Sequence, residues 1–146
     1  MIEIDARGAI NSLRSLQNAV QFAFLETTRA VLGAMRDDAK GTTLWKDRSG
    51  ATRRSIHDVQ DSIDSGFVEA GGVSRYLEYG TPAHEIWAHG NGMLRFEING
   101  TVFFRRMVRH PGTAERPFMQ HARDRGEVVA GYATEYYLDQ AIRAHP

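Results

Sequence analysis

The feature that most constrains the fold of this chain is a pair of alternating apolar segments that meet at Asn99-Gly100. Leu94-Arg95-Phe96-Glu97-Ile98 precedes this dipeptide, and Thr101-Val102-Phe103-Phe104 follows it. A two-residue type I′ turn needs positive φ at both central residues, which Asn and Gly tolerate well. The alternation on both sides fixes which side chains share a face. The sequence therefore predicts an antiparallel hairpin.

Two long segments with helical periodicity lie on either side of this region. From about Ala9 to Lys40, apolar residues recur at three- and four-residue steps without a proline, which predicts a long amphipathic helix. Gly41 then supplies a residue that tolerates the left-handed conformation often found after a helix end. Pro117 suits a first helical position. The apolar residues that follow it at helical spacing, and so predict a second long helix, are Phe118, Ala122, Val129, Ala133, Tyr136 and Ile142.

The segments between the helices predict short strands and loops. Residues 42–50 indicate a loop with Trp45 as its aromatic anchor, and residues 54–59 and 66–70 indicate two strands joined by a turn. The order of a helix, several antiparallel strands and a helix is typical of an α+β fold with an antiparallel sheet around the Asn-Gly hairpin. The length of 146 residues fits one domain over 1–146.

The charge and composition of the chain limit which kinds of molecule it is expected to bind. Eighteen basic residues balance eighteen acidic ones, so the protein lacks the net field that would draw it to nucleic acid or to an anionic membrane. No apolar run approaches the roughly 20 residues that a membrane-spanning helix needs, so no membrane partner is expected. The absence of cysteine removes thiol catalysis and leaves any metal site to His, Asp and Glu.

The stretch His84-Glu85-Ile86-Trp87-Ala88-His89 is superficially similar to a zinc-protease helix. That motif places its two histidines four residues apart on one helical face, whereas a five-residue step turns the second away by about 140°. Gly90-Asn91-Gly92 also disfavours a long helix here. A His/Glu metal-dependent enzyme is therefore a minor alternative to a polar loop. Its ligands would be His84, His89 and either Glu78 or His110.

Other catalytic patterns are missing from the sequence. No Gly-x-Ser-x-Gly elbow marks a nucleophile, and Gly71-Gly72 does not continue as a phosphate-binding loop. We therefore expect a protein that is not an enzyme and has no cofactor.

Arg105, Arg106 and Arg109 follow Phe103-Phe104 and form the main basic cluster. On a strand, Arg105 and Arg109 would share one face, with Arg106 on the other. This alternation favours an exposed strand face or a salt-bridged seam between subunits over a DNA-binding site. A DNA-binding module is the alternative, and it would bind with an affinity that falls steeply with salt.

Several ordered motifs resemble one family. Tyr76-Leu77-Glu78-Tyr79-Gly80-Thr81 is similar to the Tyr-x-x-Glu-Phe/Tyr-Gly-Thr element of the neck proteins of long-tailed bacteriophages, namely the tail-completion, head–tail joining or minor tail proteins. The elements that continue the resemblance in the same order are Pro82-Ala83-His84, the hairpin, His110-Pro111-Gly112-Thr113 and Arg116-Pro117-Phe118-Met119. Upstream, residues 45–56 resemble the family's Thr-Gly-x-Leu-x-x-Ser-Ile passage, although Ser49 replaces its threonine and Thr52 its leucine.

The resemblance implies a structural virion protein rather than an enzyme. It implies an α+β subunit, made in the host cytoplasm, that forms a ring of six with itself in the virion neck. Its partners would be the connector or stopper protein and the tail-tube protein, with DNA passing through the channel without sequence-specific binding. A tail terminator is the close alternative. The implied motif and interface residues are Tyr76, Glu78, Tyr79, Gly80, Thr81, His84, Trp87, Pro111, Gly112, Pro117 and Phe118, and Arg105, Arg106 and Arg109 are candidates for the channel or a seam.

Two local arrangements follow from the residues of this motif. Tyr76 and Tyr79 are expected to anchor the turn at Gly80 in the core, with Glu78 facing outward. Residues 84–92 are expected to form a loop that reaches a neighbouring subunit through Ile86 and Trp87. An equally weighted alternative is that Trp87 packs beneath its own loop.

Overall fold

The computed structural model describes residues 5–144, which form four helices and six strands. The helices are α1 (Arg7–Gly41), α2 (Ala51–Ser55), α3 (Ser74–Tyr79) and α4 (Phe118–Arg143). The strands are β1 (His57–Gln60), β2 (Gly66–Glu69), β3 (His84–Trp87), β4 (Leu94–Ile98), β5 (Thr101–Arg105) and β6 (Met107–His110). This confirms the predicted α+β class, with a long helix at each end and antiparallel strands between them.

The strands form three two-stranded antiparallel sheets, which pair β1 with β2, β3 with β6 and β4 with β5. The predicted strand pair at residues 54–70 is confirmed in its pairing. Its start is corrected, because Arg54 and Ser55 belong to α2 and the first strand begins only at His57.

The chain divides into two compact units. The helical unit consists of the chain up to Gly72 together with the residues from Phe118 onward, and the ribbon unit consists of Val73–Pro117. The prediction of one domain over 1–146 stays a prediction.

In the helical unit, α1 and α4 pack against each other through small residues. Most of their buried residues are alanines, which let two helices approach closely: Ala23 and Ala39 on α1, and Ala122, Ala133 and Ala141 on α4. Gly126 of α4 lies so close to α1 that an added Cβ would fall 2.5 Å from Met35 Cγ. At 35 residues, α1 is nine residues longer than α4 at 26, about 14 Å at 1.5 Å per residue.

The surplus length of α1 lies at its N-terminal end. Near the other end of the pair, Ala39 and Phe118 are both buried, whereas every residue from Asp5 to Asn18 is exposed. The first turns of α1 therefore extend past the end of α4.

The β1–β2 hairpin packs on a second side of α1. Gly66 lies against Leu32, since a Cβ there would be 2.5 Å from Leu32 Cδ1. The Arg36 guanidinium binds Asp58 Oδ1 at 2.9 Å, and Thr28 Oγ1 donates to the carbonyl of Ile63 at 3.0 Å. These contacts fix the hairpin and its turn beside the middle of α1.

The C-terminal end of α1 is capped by Arg53 rather than by a left-handed glycine. Gly41 is the last helical residue and does not have positive φ, so that part of the prediction is wrong. The Arg53 guanidinium instead donates to the carbonyl of Lys40 and, at 2.7 Å, to that of Thr42. The carbonyls left open at the helix end thus gain a charged donor from elsewhere in the chain.

Trp45 is buried, which confirms its predicted role as the anchor of the loop. Its ring packs edge-on against Phe118 with centroids 5.4 Å apart, and the Arg53 guanidinium lies 4.6 Å from its centroid. Asp47 accepts the Arg53 backbone N–H at 2.7 Å, and this bond holds the pKa of the Asp47 carboxyl below its usual value. The upstream motif therefore builds a cap for α1.

None of the helices among residues 5–144 combines the length and the apolar character that crossing a membrane requires.

Candidate functional site

Most of the predicted site residues lie on one long β-hairpin, residues 81–113, which we call the ribbon. At its base Thr81 and Thr113 exchange two backbone hydrogen bonds, of 2.9 and 3.0 Å. β3 then pairs with β6, from His84 opposite His110 to Trp87 opposite Met107. Beyond this pair, β4 and β5 complete the ribbon up to its closing turn. Within the described part of the chain, no third strand pairs with either edge.

The closing turn confirms the predicted hairpin. Asn99 and Gly100 have φ of 50° and 80°, the positive pair that a type I′ turn requires. Phe96 and Phe103 lie opposite each other and stack with ring centroids 5.7 Å apart. This cross-strand aromatic pair stabilises the pairing of β4 with β5.

Five extra residues interrupt one strand of the ribbon. The N–H of Ala88 donates to the carbonyl of Arg106, while Leu94 pairs with the adjacent Arg105. Residues 89–93 are therefore an inserted turn, closed by a 3.1 Å bond from the Gly92 N–H to the His89 carbonyl. The predicted loop over 84–92 is thus wrong in its first half, where His84–Trp87 is strand β3.

Two glycines of the motif allow the backbone to cross closely at the base of the ribbon. Gly80 has a φ of 66°, and a Cβ there would lie 2.5 Å from the Thr113 carbonyl oxygen. Gly112 has a φ of 90°, and a Cβ would collide with the Thr81 carbonyl oxygen. Both positions need glycine for conformation and for space. They belong to the scaffold, as does the neighbouring Pro111, which is exposed.

The side chains of α3 are arranged opposite to the prediction. Tyr76 and Tyr79 are exposed, whereas Glu78 is half-buried. Ser74, Leu77 and Glu78 share one helical face at the i, i+3, i+4 spacing, and that face is the more buried one. The expectation that the two tyrosines anchor the turn in the core is therefore wrong, and both present their rings to solvent.

The ribbon exposes large apolar side chains. Trp87 is 65% exposed, so the alternative in which it packs beneath its own loop is wrong. The other large apolar residues exposed on the ribbon are Ile86, Met93, Ile98, Val102 and Phe104. Of this set, sequence reasoning singled out only Ile86 and Trp87. The alternation predicted which side chains share a face, but it carried no signal that so many of these side chains would be exposed.

His84 and His110 are the two histidines that the ribbon brings together, with ring centroids 5.1 Å apart. His110 Nδ1 accepts the Gly112 N–H at 3.1 Å, and His84 Nδ1 lies 2.9 Å from the Pro82 carbonyl oxygen. His89, the other histidine of the metal-site alternative, lies in the inserted turn rather than on β3. Over residues 5–144 no group of three potential metal ligands occurs.

The three arginines of the basic cluster all contact the ribbon itself. Arg105 lies over the Phe103 ring at 5.9 Å, and Arg106 donates to the Gly90 carbonyl at 3.4 Å. Arg109 Nε lies 3.4 Å from Glu85 Oε1, and the Arg109 side chain is largely in solvent. These contacts fit the predicted exposed strand face. They also leave fewer of the arginine N–H groups free to bind the phosphates of a nucleic acid.

Most of the predicted site residues fall into two groups. Gly80, Gly112 and Phe118 build the fold, and Pro117 directly precedes α4. The side chains open to solvent are Tyr76, Tyr79, His84, Trp87, Arg105, Arg106 and Arg109. These exposed site residues lie on the ribbon and on the outer face of α3.

Comparisons of the chain with models of known protein families, with curated proteins and with solved structures found no match. The resemblance to phage neck proteins therefore stays a prediction that rests on the residues quoted above.

Proposed function

We propose that this chain is a structural virion protein of the phage neck, a tail-completion subunit that forms a ring and joins the tail to the head connector. Its role is assembly rather than chemistry. One face of the ring would meet the tail tube and another the connector, and DNA would pass through the axial opening without sequence-specific contacts.

The observation that carries this proposal is the two-stranded ribbon with Trp87, Ile98 and Phe104 in solvent. An isolated hairpin is marginally stable in water, and three strands or a packed partner are needed for independent stability. Exposed apolar patches on a folded protein mark interaction surfaces. No further strand of residues 5–144 pairs with the edges of the ribbon. A ribbon with such edges and large exposed side chains is therefore suited to being covered by other protein chains.

The direct test is assembly with the expected partners. The protein would be examined by native mass spectrometry and negative-stain electron microscopy, alone, with the tail-tube protein and with the connector protein. We expect closed rings that bind both partners. A chain that stays monomeric in all three samples would overturn the proposal. Rings that bind the tail tube but never the connector would favour the tail-terminator role instead.

A matched pair of variants links this assay to the ribbon. Trp87→Glu places a charge at the exposed centre of the ribbon and is expected to abolish partner binding without unfolding the protein. Leu44→Glu makes the same kind of change at an exposed apolar residue of the helical unit and is expected to leave binding intact. Circular dichroism establishes that both variants are folded. Equal binding by the two would refute the role of the ribbon.

A further inference from the structure

The outer edge of β4 pairs with no strand of residues 5–144. β5 covers the other edge, from Leu94 opposite Arg105 to Ile98 opposite Thr101. An open edge presents N–H and C=O groups to solvent and is a template on which another strand can pair. A further strand is also what a two-stranded ribbon needs for independent stability. The sequence of β4 indicates which strand fits this edge.

β4 is self-complementary in charge. In its sequence, Leu94-Arg95-Phe96-Glu97-Ile98, opposite charges flank a central aromatic residue and apolar residues stand at both ends. If two copies of β4 pair antiparallel about Phe96, Arg95 of each copy lies opposite Glu97 of the other. Leu94 then lies opposite Ile98. The charge match is therefore made twice within one short pair of strands.

The backbone groups at the free edge allow this register. Ile98 and Thr101 flank the two-residue turn as its closing, hydrogen-bonded pair, and hydrogen-bonded pairs alternate with non-bonded pairs along an antiparallel ladder. Phe96 and Ile98 therefore direct their N–H and C=O groups at β5, whereas Arg95 and Glu97 direct theirs at the open edge. In the register centred on Phe96, the N–H and C=O of Arg95 meet the C=O and N–H of Glu97 in the second copy.

Charge selects this register from its neighbours. A slip of two residues keeps the backbone groups matched. In one direction it places Arg95 opposite Arg95 of the second copy, and in the other direction it places Glu97 opposite Glu97. Opposite charges stabilise a strand pair when they lie across from each other, and like charges destabilise it. Of these three registers, the one centred on Phe96 alone places opposite charges at both positions.

The side chains of Arg95 and Glu97 are available for this contact. Both are exposed, and neither has an ion pair with any residue of the described part of the chain. Across their own ribbon they lie opposite apolar residues, Arg95 opposite Phe104 and Glu97 opposite Val102. Each charge therefore lacks an opposite charge directly across its own ribbon and gains one on the second copy.

The same pairing covers apolar surface. Ile98 is 55% exposed at the end of β4. In this register it lies beside Leu94 of the second copy, on the face that carries Phe96 and Phe103. The two ribbons then form one four-stranded sheet with β5 at both outer edges. The outer edge of β5 offers no such match, because Thr101–Arg105 contains a single charged residue.

We infer that the free protein forms a dimer in which the β4 edges of two copies pair antiparallel about Phe96. A strand that pairs with its own copy makes an isologous contact, which closes after two copies and builds no ring. The dimer is therefore distinct from the proposed ring, and the inference goes beyond the proposed function without resting on it. Any partner that adds a strand to the β4 edge must displace the second copy.

Charge reversal tests the contact by sedimentation at graded concentrations. Arg95→Glu places acid opposite acid at both positions, and Glu97→Arg places arginine opposite arginine. Each is expected to weaken dimerisation about tenfold or more, because two contacts change from attraction to repulsion. An equimolar mixture of the two variants restores opposite charges at both positions, so it is expected to form mixed dimers as tightly as the unmodified protein. The control is Arg125→Glu, the same change at an exposed residue of α4, which is expected to leave dimerisation unchanged.

Disulfide formation tests the register. The chain has no cysteine, so Leu94→Cys and Ile98→Cys each carry a single thiol. In the dimer these positions form a non-hydrogen-bonded pair with Cα atoms about 4.5 Å apart, a separation that a disulfide spans. Under mild oxidation we expect mixed disulfides in several-fold excess over disulfide dimers of either variant alone. The control mixes Leu94→Cys with Val102→Cys, which lies on β5 away from the paired edges.

The outcomes separate the dimer from the neck role. Free protein that is monomeric at every concentration, charge reversals that leave the dimer intact, or mixed disulfides no more frequent than in the Val102→Cys control would each overturn the dimer. None of these results bears on rings formed with the tail-tube and connector proteins. If the Leu94→Cys thiol is protected from alkylation only by one of those proteins, the edge belongs to that partner and the inference fails. Dimers that respond as expected, in a protein that never binds either partner, would keep the contact and reject the neck role.

Discussion

Two glycines of α4 offer a sharp test of how the helices pack. A Cβ added to Gly131 would meet no atom of residues 5–144 within 4 Å, whereas a Cβ on Gly126 would lie 2.5 Å from Met35 Cγ and 2.7 Å from Met35 Sδ. Alanine in a helix interior is about 1 kcal/mol more favourable than glycine. At Gly131 no steric collision with the described residues offsets this gain, so Gly131→Ala is expected to raise the free energy of unfolding by about 1 kcal/mol. At Gly126 overpacking costs about 1–3 kcal/mol, so Gly126→Ala is expected to be neutral or destabilising by up to about 2 kcal/mol.

Urea unfolding followed by circular dichroism measures the difference. With a slope of about 1–3 kcal/mol per molar urea, the two variants should differ in midpoint by roughly 1 M. The experiment is run at low protein concentration, so that self-association does not contribute. If both alanines stabilise the protein equally, α4 does not lie against Met35 and the reasoning about the helix pair is refuted.

Four further predictions concern the ribbon base, the pH dependence of stability and metal content. Gly80→Ala is expected to lower the free energy of unfolding by at least about 2 kcal/mol, because it combines positive φ with a backbone collision. Thr81→Val removes a buried hydroxyl that has no hydrogen-bond partner among the described residues, so it should be neutral or stabilising by about 1 kcal/mol in the same urea assay. Folding lowers the pKa of the Asp47 carboxyl. The charged carboxylate therefore stabilises the folded protein above the pKa of the unfolded chain, and this stabilisation is lost as the pH falls through the lower pKa of the folded protein. Asp47→Asn should therefore flatten the loss of stability below about pH 4, and an unchanged pH profile would contradict this. Elemental analysis should find no stoichiometric zinc, and chelator should leave the melting temperature unchanged; zinc that is lost on His84→Ala would revive the metalloenzyme alternative.

The sequence predicted those elements whose signals are local. Asn99-Gly100 dictates its own turn, and the alternation around it fixes the register, so the distal hairpin was predicted with its pairing. The periodicity of α1 and α4 extends over many turns and is hard to mistake. Trp45 stood out because it is the one aromatic residue of a polar segment.

The errors arose where distant residues decide the local conformation. β3 is a strand because it pairs with residues 107–110, at least twenty positions away, and His84-Glu85 carries little strand propensity of its own. Gly41 does not adopt the left-handed conformation because Arg53, twelve residues later, satisfies the carbonyls of the helix end. The tyrosines of α3 were misplaced because which face of a six-residue helix is buried depends on what packs against it.

The inserted turn at residues 89–93 has a consequence for protein engineering. Ala88 and Leu94, which flank it, lie on neighbouring rungs of the ribbon, opposite Arg106 and Arg105. The number of residues between them can therefore change without altering which residues pair across the two strands of the ribbon, and exposed turns of this kind tolerate insertions well. A short epitope or a fluorescent label placed at Asn91 would report on the ribbon while leaving its ladder of hydrogen bonds intact.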